Sequence, residues 1–306
     1  MEWLERYQTN VNAVFASALE RIEAFPAPLN EIGLRYAASF DPAKHNGQDY
    51  ICVLLPYWLQ DATGISDEQC NRLTLANVYG MLYFFIQDDV MDNPTQTYVK
   101  GELALANLLH LEMLSVLRGL FPSDSPFWTY YGRYITTWAD CVMNEHTANY
   151  FINDPIRTAG KAGPIKLSST GACLLAGREE LIPVIESAVD LSLMTLQMLD
   201  DWADWRIDFA EGSYNGLIAM VAHDAGMQAG ELTKEKVETQ IYVLGCLKRL
   251  AEIAKRNHDL ILKLQLPLPD LVRYHAYMVE FLVQTAETIE NQKRKLLGGG
   301  INRFLS

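Results

Sequence analysis

Aspartate is concentrated in two short segments of the chain, which hold seven of its 18 aspartates. Each segment begins with a DDxxD pattern. Residues four apart on a helix share one face, with Cβ atoms about 5–6 Å apart. The spacing therefore places Asp88 and Asp92 on one helix face, and Asp200, Asp204 and Asp208 on another.

Carboxylates this close repel one another, and the negative end of the helix dipole disfavours them further. Divalent cations remove both penalties, and Mg²⁺ prefers oxygen ligands while sharing its remaining positions with water and substrate phosphates. Apolar residues precede both segments, among them Phe84 and Phe85 before the first and Leu196 and Leu199 before the second. This setting favours the mouth of a pocket over a solvated acidic face.

The rest of the chain predicts the helices that must position these aspartates. Apolar residues recur with helical periodicity, and no segment shows the alternation typical of strands. The helix candidates are 11–24, 67–92, 101–117, 127–150, 165–176, 182–209, 233–264 and 269–295. Because no low-complexity linker interrupts them, we expect one all-α domain over residues 1–306.

Composition excludes several classes of partner. Lys+Arg 25 against Asp+Glu 38 gives a net charge of −13, which argues against a nucleic-acid partner. The 5 cysteines contain no CxxC pair and favour neither a disulfide framework nor a zinc site. The N-terminus lacks the basic region of a signal peptide, and the apolar run 51–59 is too short to span a bilayer. We expect a soluble cytoplasmic protein without stable membrane insertion.

The two aspartate segments resemble the paired motifs of the isoprenoid synthase superfamily. Residues 84–92, FFIQDDVMD, are similar to its first DDxxD motif, and residues 197–204, QMLDDWAD, are similar to the QxxDDxxD of trans-prenyltransferases. Residues 160–166, GKAGPIK, resemble the lysine-bearing segment between them. The resemblance implies a helical bundle around a central active-site cavity, three Mg²⁺ ions, a prenyl diphosphate substrate and a homodimer.

The second segment also fits the i, i+4, i+8 ligand spacing of class I terpene cyclases, with aspartate at all three positions. Chain-elongating relatives have an N-terminal GKxxRP, arginines after the first motif and Gly-Lys after the second. Here Lys44 remains near the first of these, no arginine follows Asp92 within 93–100, and Gly212-Ser213 replaces Gly-Lys.

We therefore expect a class I terpene synthase, a lyase that ionises a C15 or C20 prenyl diphosphate and cyclises or rearranges the cation. The alternative is a trans-isoprenyl diphosphate synthase with an altered isopentenyl diphosphate site. A third hypothesis is a non-catalytic lipid-binding subunit, which retention of every metal-binding aspartate disfavours.

The resemblance also implies a role for individual residues. Asp88 and Asp92 bind two of the Mg²⁺ ions, and Asp200, Asp204 and Asp208 bind the third. The residues that orient this cluster are Asp89, Asp201 and Gln197. Those that bind the diphosphate or close the site are Arg157, Lys161, Lys166, Arg273 and Tyr274. Those that line the hydrocarbon pocket are Tyr83, Phe84, Phe85, Trp138, Phe151 and Tyr277, and the first three limit its depth.

Overall fold

The computed structural model describes the backbone of residues 2–42, 50–92 and 99–302, and side chains within 3–42, 50–91 and 99–296. Over these residues the chain is helical and contains no β-strand. The α-helices are α1 (Glu2–Glu5), α2 (Gln8–Glu23), α3 (Leu29–Ala38), α4 (Tyr50–Trp58), α5 (Gln60–Thr63), α6 (Asp67–Asp92), α7 (Val99–Arg118), α8 (Phe127–Ala148), α9 (Tyr150–Asn153), α10 (Lys166–Leu175), α11 (Ile182–Glu211), α12 (Gly216–Ala225), α13 (Lys234–Tyr242), α14 (Cys246–Lys263) and α15 (Pro269–Asn302). Short 3₁₀ helices occupy Pro155–Ile165, Glu179–Leu181 and Ala229–Glu231. The all-α prediction is confirmed.

Helix α6 carries the first aspartate segment at its C-terminal end. A capping box starts the helix, because Ser66 Oγ accepts from the Gln69 N–H at 3.2 Å and Gln69 Oε1 accepts from the Ser66 N–H at 2.9 Å. The helix then packs against α7, α4 and α2. Its buried side chains include Leu73, Leu82 and Ile86. The predicted bounds of this helix, Asp67 and Asp92, are confirmed.

Helix α11 carries the second aspartate segment and has 30 residues, about 45 Å at 1.5 Å per residue. Leu193, Met198 and Leu199 are among its buried residues. It ends at Glu211, and the following Gly212 has a φ of 77°, which lies in the left-handed region that favours glycine. The N–H groups of Gly212 and Ser213 both donate to the Asp208 carbonyl, at 2.8 and 3.0 Å. The last acidic turn is therefore closed by backbone hydrogen bonds.

The prediction of a single helix over residues 233–264 is wrong, because these residues form two helices. Helix α13 ends at Tyr242, and α14 begins at Cys246. Gly245 between them has a φ of 77°, which breaks the helical path. The Val243 and Leu244 N–H groups both donate to the Thr239 carbonyl and so close the end of α13.

The chain divides into two compact units. The first comprises Met1–Thr136, Gly163–Glu186 and Pro267–Leu271, and the second comprises Thr137–Ala162, Ser187–Leu266 and Val272–Ser306. Trp58 is fully buried in the first unit, and Trp205 is fully buried in the second. The expectation of a single domain stays a prediction.

One segment, Glu179–Glu211, is long and apolar enough to cross a membrane by length and composition. Of its most apolar window, 56% is buried inside the protein, and the core helix of a soluble protein meets the same criteria. The expected absence of stable membrane insertion therefore stays a prediction.

Candidate functional site

The first aspartate segment lies in the first unit, at the end of α6. Asp88 is half-buried and Asp89 is exposed. The Tyr36 hydroxyl on α3 donates to Asp89 Oδ2 at 2.8 Å. Burial first, and then this hydrogen bond, raise the pKa of Tyr36, so it remains a neutral donor that orients Asp89. Asp92 belongs to α6, but its side chain lies outside the described residues, so its metal-binding role stays a prediction.

The three aromatic residues before this segment are half-buried and contact different neighbours. The Tyr83 ring stacks on His110 of α7, with centroids 4.7 Å apart, and contacts Phe84 at 4.8 Å. The Phe85 ring instead contacts Phe40, with centroids 5.2 Å apart. The three side chains are therefore not equivalent candidates for the end of a pocket.

The second aspartate segment lies in the second unit, and its members differ in exposure. Asp200 and Asp208 are half-buried, Asp204 is exposed, and Asp201 is 5% exposed. Gln197 Nε2 donates to Asp201 Oδ1 at 3.3 Å. Burial raises the pKa of Asp201 to about 7, although this hydrogen bond and other favourable interactions oppose the shift. Asp201 is thus the buried carboxylate of this segment, whereas Asp200, Asp204 and Asp208 are at least partly exposed.

Asn215 bonds to two aspartates of this segment, and it was not predicted as a site residue. Its Nδ2 donates to the Asp201 carbonyl at 2.8 Å and to Asp208 Oδ2 at 2.7 Å. Burial raises the pKa of Asp208, and the hydrogen bond from Asn215 lowers it. A sequence signal for Asn215 does exist, since an asparagine two residues before the apolar run that starts at Leu217 is a typical helix N-cap.

Lys161 lies close to the buried end of this cluster. Its Nζ is 2.9 Å from Glu145 Oε2, and both side chains are largely buried. The charge of Lys161 also lowers the pKa of Asp201. These residues surround a cavity of about 10 Å³, at the lower limit for one water molecule. The cavity is lined by Glu145, Tyr150, Thr158, Lys161, Gln197, Asp201 and Tyr214.

The structure therefore brings together three predicted residues, Lys161, Gln197 and Asp201. Other side chains that complete this cavity lining were not predicted from the sequence; they include Glu145, Thr158 and Tyr214. No local pattern marks them, because each comes from a different element and meets the others only after the helices pack.

Arg157 and Lys166, also predicted to bind diphosphate, have partners of their own. Arg157 pairs with Asp140, and its guanidinium carbon lies 5.1 Å from the centroid of the Tyr150 ring. Lys166 belongs to the first unit, is 8% exposed, and places Nζ 5.3 Å from the Tyr134 ring centroid. Both cations therefore lie near aromatic rings, within the distance of a cation–π contact.

The remaining predicted residues of the second unit range from buried to exposed. Phe151 and Tyr274 are buried, at 4% and 1% exposure, and Trp138 is half-buried. Arg273 is exposed, and Tyr277 is 40% exposed. These positions leave the roles of all five residues as predictions.

The carboxylates of the second aspartate segment suit a metal ion whose coordination is completed by substrate. Among the described residues, no three His, Cys, Asp or Glu side chains converge on a point that could hold a metal ion. The side chains of Asp200, Asp204 and Asp208 are all at least partly exposed at helical spacing. Mg²⁺ is usually bound through one or two carboxylates, waters and substrate phosphates rather than an all-protein cage, so this donor set fits it.

Comparison with known proteins gives matches in structure alone. No protein-family model matches the chain, and no curated protein matches it by sequence. A geranylgeranyl pyrophosphate synthase from Lactobacillus brevis ATCC 367 matches with a TM-score of 0.70 and 15% identity, over 92% of this chain and 97% of that chain. A geranylgeranyl pyrophosphate synthetase from the archaeon Geoglobus acetivorans matches with a TM-score of 0.66 and 15% identity, over 90% and 98%. The chain therefore shares the all-helical fold of these two solved structures.

Proposed function

We propose that the protein is a Mg²⁺-dependent trans-isoprenyl diphosphate synthase, a prenyltransferase that extends an allylic prenyl diphosphate with isopentenyl diphosphate. One observation carries this proposal: the fold matches a geranylgeranyl pyrophosphate synthase over 92% of this chain. The two solved structures with this fold favour a chain-elongating prenyltransferase, whereas the sequence motifs favour a terpene cyclase. A fold hosts more than one chemistry, so the choice between them depends on the site and is tested below.

In this proposal the allylic C–O bond breaks, and diphosphate leaves with the electron pair. The double bond of isopentenyl diphosphate then attacks the allylic cation to form the new C–C bond, and the resulting cation loses a proton to the released diphosphate, which is a base. Bound Mg²⁺ supplies Lewis acidity toward the leaving diphosphate. Asp88 and Asp92 would hold two of the three ions, and the carboxylates of Asp200, Asp204 and Asp208, which are half-buried or exposed, would hold the third. Asp89 and Asp201 orient the cluster, through Tyr36 and Gln197 respectively.

Basic side chains then bind the outer oxygens of the diphosphate. We assign this role to Arg157 and Lys161, with Lys166 and the Arg273–Tyr274 pair contributing. The ion pairs with Asp140 and Glu145 support the assignment of the first two, because they restrict rotamers before substrate binds. The aromatic residues Tyr83, Phe84, Phe85, Trp138, Phe151 and Tyr277 are proposed to line the hydrocarbon site.

A class I terpene synthase is the second candidate, and one sequence observation favours it. Family members that elongate chains need a second diphosphate site, which carries basic residues because it has no metals of its own. No arginine occurs in residues 93–100, and Ser213 follows Gly212 where lysine is usual. In this candidate a single prenyl diphosphate is ionised and its cation cyclises or rearranges.

Product analysis separates the candidates. We would incubate the protein with labelled geranyl, farnesyl and geranylgeranyl diphosphates and Mg²⁺, each with and without isopentenyl diphosphate. A longer diphosphate formed when isopentenyl diphosphate is present supports the synthase. A hydrocarbon or alcohol formed from one substrate alone supports the cyclase and contradicts the main proposal. No turnover with any combination contradicts both and supports a non-catalytic protein.

A further inference from the structure

We infer that Asn215 is a positioning residue that sets the orientation of Asp208 for metal-dependent diphosphate binding. The inference rests on the proposed function, because it assumes that the second aspartate segment binds Mg²⁺. Asn215 lies outside both aspartate motifs, seven positions after Asp208, the last aspartate of the second segment. Asn215 would act through Asp208 and would not itself contact metal or substrate.

Asn215 is 2% exposed, and every hydrogen-bonding position of its side-chain amide has a partner. Its two N–H donors serve the Asp201 carbonyl at 2.8 Å and Asp208 Oδ2 at 2.7 Å. Its carbonyl oxygen accepts from the N–H groups of Leu217 at 3.0 Å and Ile218 at 3.1 Å, and so caps α12. An asparagine side chain offers two donors and two acceptor lone pairs, and all four are engaged here.

These bonds connect the start of one helix to the acidic end of another. The cap fixes the side chain relative to α12, and the same side chain then fixes one oxygen of Asp208 on α11. Asp208 lies in the last turn of α11, where the helix dipole and nearby Asp204 oppose its charge. Asn215 offsets both effects and holds one carboxylate oxygen while the second remains for a metal.

Residues on either side fix Asn215 in place. The Tyr214 hydroxyl accepts from the Phe151 N–H and donates to Asn149 Oδ1, both at 3.0 Å. A Cβ on Gly216 would lie 2.6 Å from the Phe151 ring and 2.7 Å from Asp201 Oδ2, so the backbone here approaches both groups closely. The three consecutive residues 214–216 therefore form a rigid support for the end of α11.

The variant Asn215→Ser tests this inference, because serine keeps an N-cap acceptor but has no amide donor. We would measure the affinity for inorganic diphosphate at a fixed excess of Mg²⁺ by isothermal titration calorimetry. Loss of a group that orients a metal ligand typically weakens metal binding about 10–100-fold, and we expect a loss in this range. The isosteric variant Asn215→Asp also lacks the donors, and it serves in the same assay if the serine variant does not fold.

Thr233→Ala is the matched control. Thr233 caps α13 through a hydrogen bond from the Lys236 N–H at 3.4 Å, and its side chain also bonds to Glu235 of the same helix. Its loss should lower the melting temperature while leaving the affinity for diphosphate unchanged. A similar loss of affinity in Thr233→Ala would attribute the effect to general destabilisation and overturn the inference.

A double-mutant cycle with Asp208→Ala separates positioning from a structural role. If Asn215 acts through Asp208, Asn215→Ser causes no further loss of affinity once Asp208 is absent. Additive losses would overturn the inference, as would a wild-type affinity in Asp208→Ala or in a folded Asn215 variant. Wild-type protein that binds no diphosphate with Mg²⁺ would overturn the proposed function and the inference together.

Discussion

At the scale of single residues, adjacent aspartates of the second segment occupy different environments. Asp201 is buried beside Gln197, whereas Asp200 is half-buried. A buried carboxylate with internal partners is better suited to orient neighbours than to exchange water for a metal. The alternation of exposure along one helix thus supports dividing the segment into ligands and orienting groups.

A first prediction concerns Asp88. Asp88→Ala should abolish Mg²⁺-dependent turnover while the free energy of unfolding changes by less than about 0.5 kcal/mol, because it removes a partly exposed charge from the negative end of α6. Turnover of labelled prenyl diphosphate and urea unfolding are the two measurements. Asp124→Ala, in an exposed loop, should change neither quantity. Near wild-type turnover in Asp88→Ala would remove Asp88 from the metal site.

A second prediction concerns Gly216. A Cβ at this position would lie 2.6 Å from the Phe151 ring and 2.7 Å from Asp201 Oδ2, within a packed region. Gly216→Ala should therefore destabilise the protein by about 1–3 kcal/mol, the usual cost of overpacking. Urea unfolding measures the change. Gly230→Ala is the control, because no atom lies within 4 Å of its Cβ position, and an equal cost at both glycines would contradict this explanation.

At the scale of elements, a chain of polar side chains connects α11, α14 and α15 inside the second unit. Asn257 Nδ2 donates to Thr195 Oγ1 at 3.1 Å, and this oxygen lies 2.9 Å from His275 Nε2. His275 Nδ1 in turn lies 3.0 Å from His258 Nδ1. Burial first, and then the neighbouring His258, lower the pKa of His275 to about 3, so His275 is neutral in the folded protein.

A third prediction follows for the pH dependence of stability. Between pH of about 6.5 and 3 the unfolded chain binds a proton on His275 that the folded chain lacks, so acid favours unfolding. Stability should be fully present above pH of about 6.5 and fall by up to about 1.4 kcal/mol per pH unit below it. His275→Gln should reduce this slope, whereas His223→Gln should not. Equal slopes in wild type and His275→Gln, measured by urea unfolding across this range, would contradict the assignment.

At the scale of the whole molecule, the fold is retained at 15% identity to two solved geranylgeranyl pyrophosphate synthases. Burial of apolar helix faces tolerates many substitutions of similar character and volume, so a fold persists when sequence identity is low. Chemistry is less tolerant, because it depends on particular side chains. The fold is therefore shared with these two proteins, and the substrate and product of this chain belong to the proposed function.

A fourth prediction concerns removal and return of the metal. EDTA should abolish turnover and Mg²⁺ should restore it. Mg²⁺ with inorganic diphosphate should also raise the melting temperature, since a ligand at 100 times its Kd stabilises the folded state by about 2.7 kcal/mol. Mg²⁺ alone should have a much smaller effect, because no three potential ligands converge among the described residues. Full stabilisation by Mg²⁺ without diphosphate would indicate a preformed protein cage instead.

The sequence by itself determined most of the helices, because the signals for a helix are local. Apolar periodicity was sufficient to predict α6 with both of its bounds and to place residues 182–209 on one helix, α11. The sequence also placed the aspartates on helices, because i, i+4 spacing fixes a shared face without any tertiary contact. It failed for 233–264, where apolar periodicity on both sides concealed the break at Gly245.

Only the tertiary structure decided which side chains surround Asp201 and Asp208. Glu145, Lys161 and Asn215 come from separate elements, 56, 40 and 14 positions from Asp201 along the chain. Whether such residues meet depends on how the helices pack and rotate, and each helix presents several polar positions that are equivalent in local sequence. The burial of Asp201, and with it the raised pKa, likewise arises from packing, since desolvation is a property of the surroundings and not of the residue.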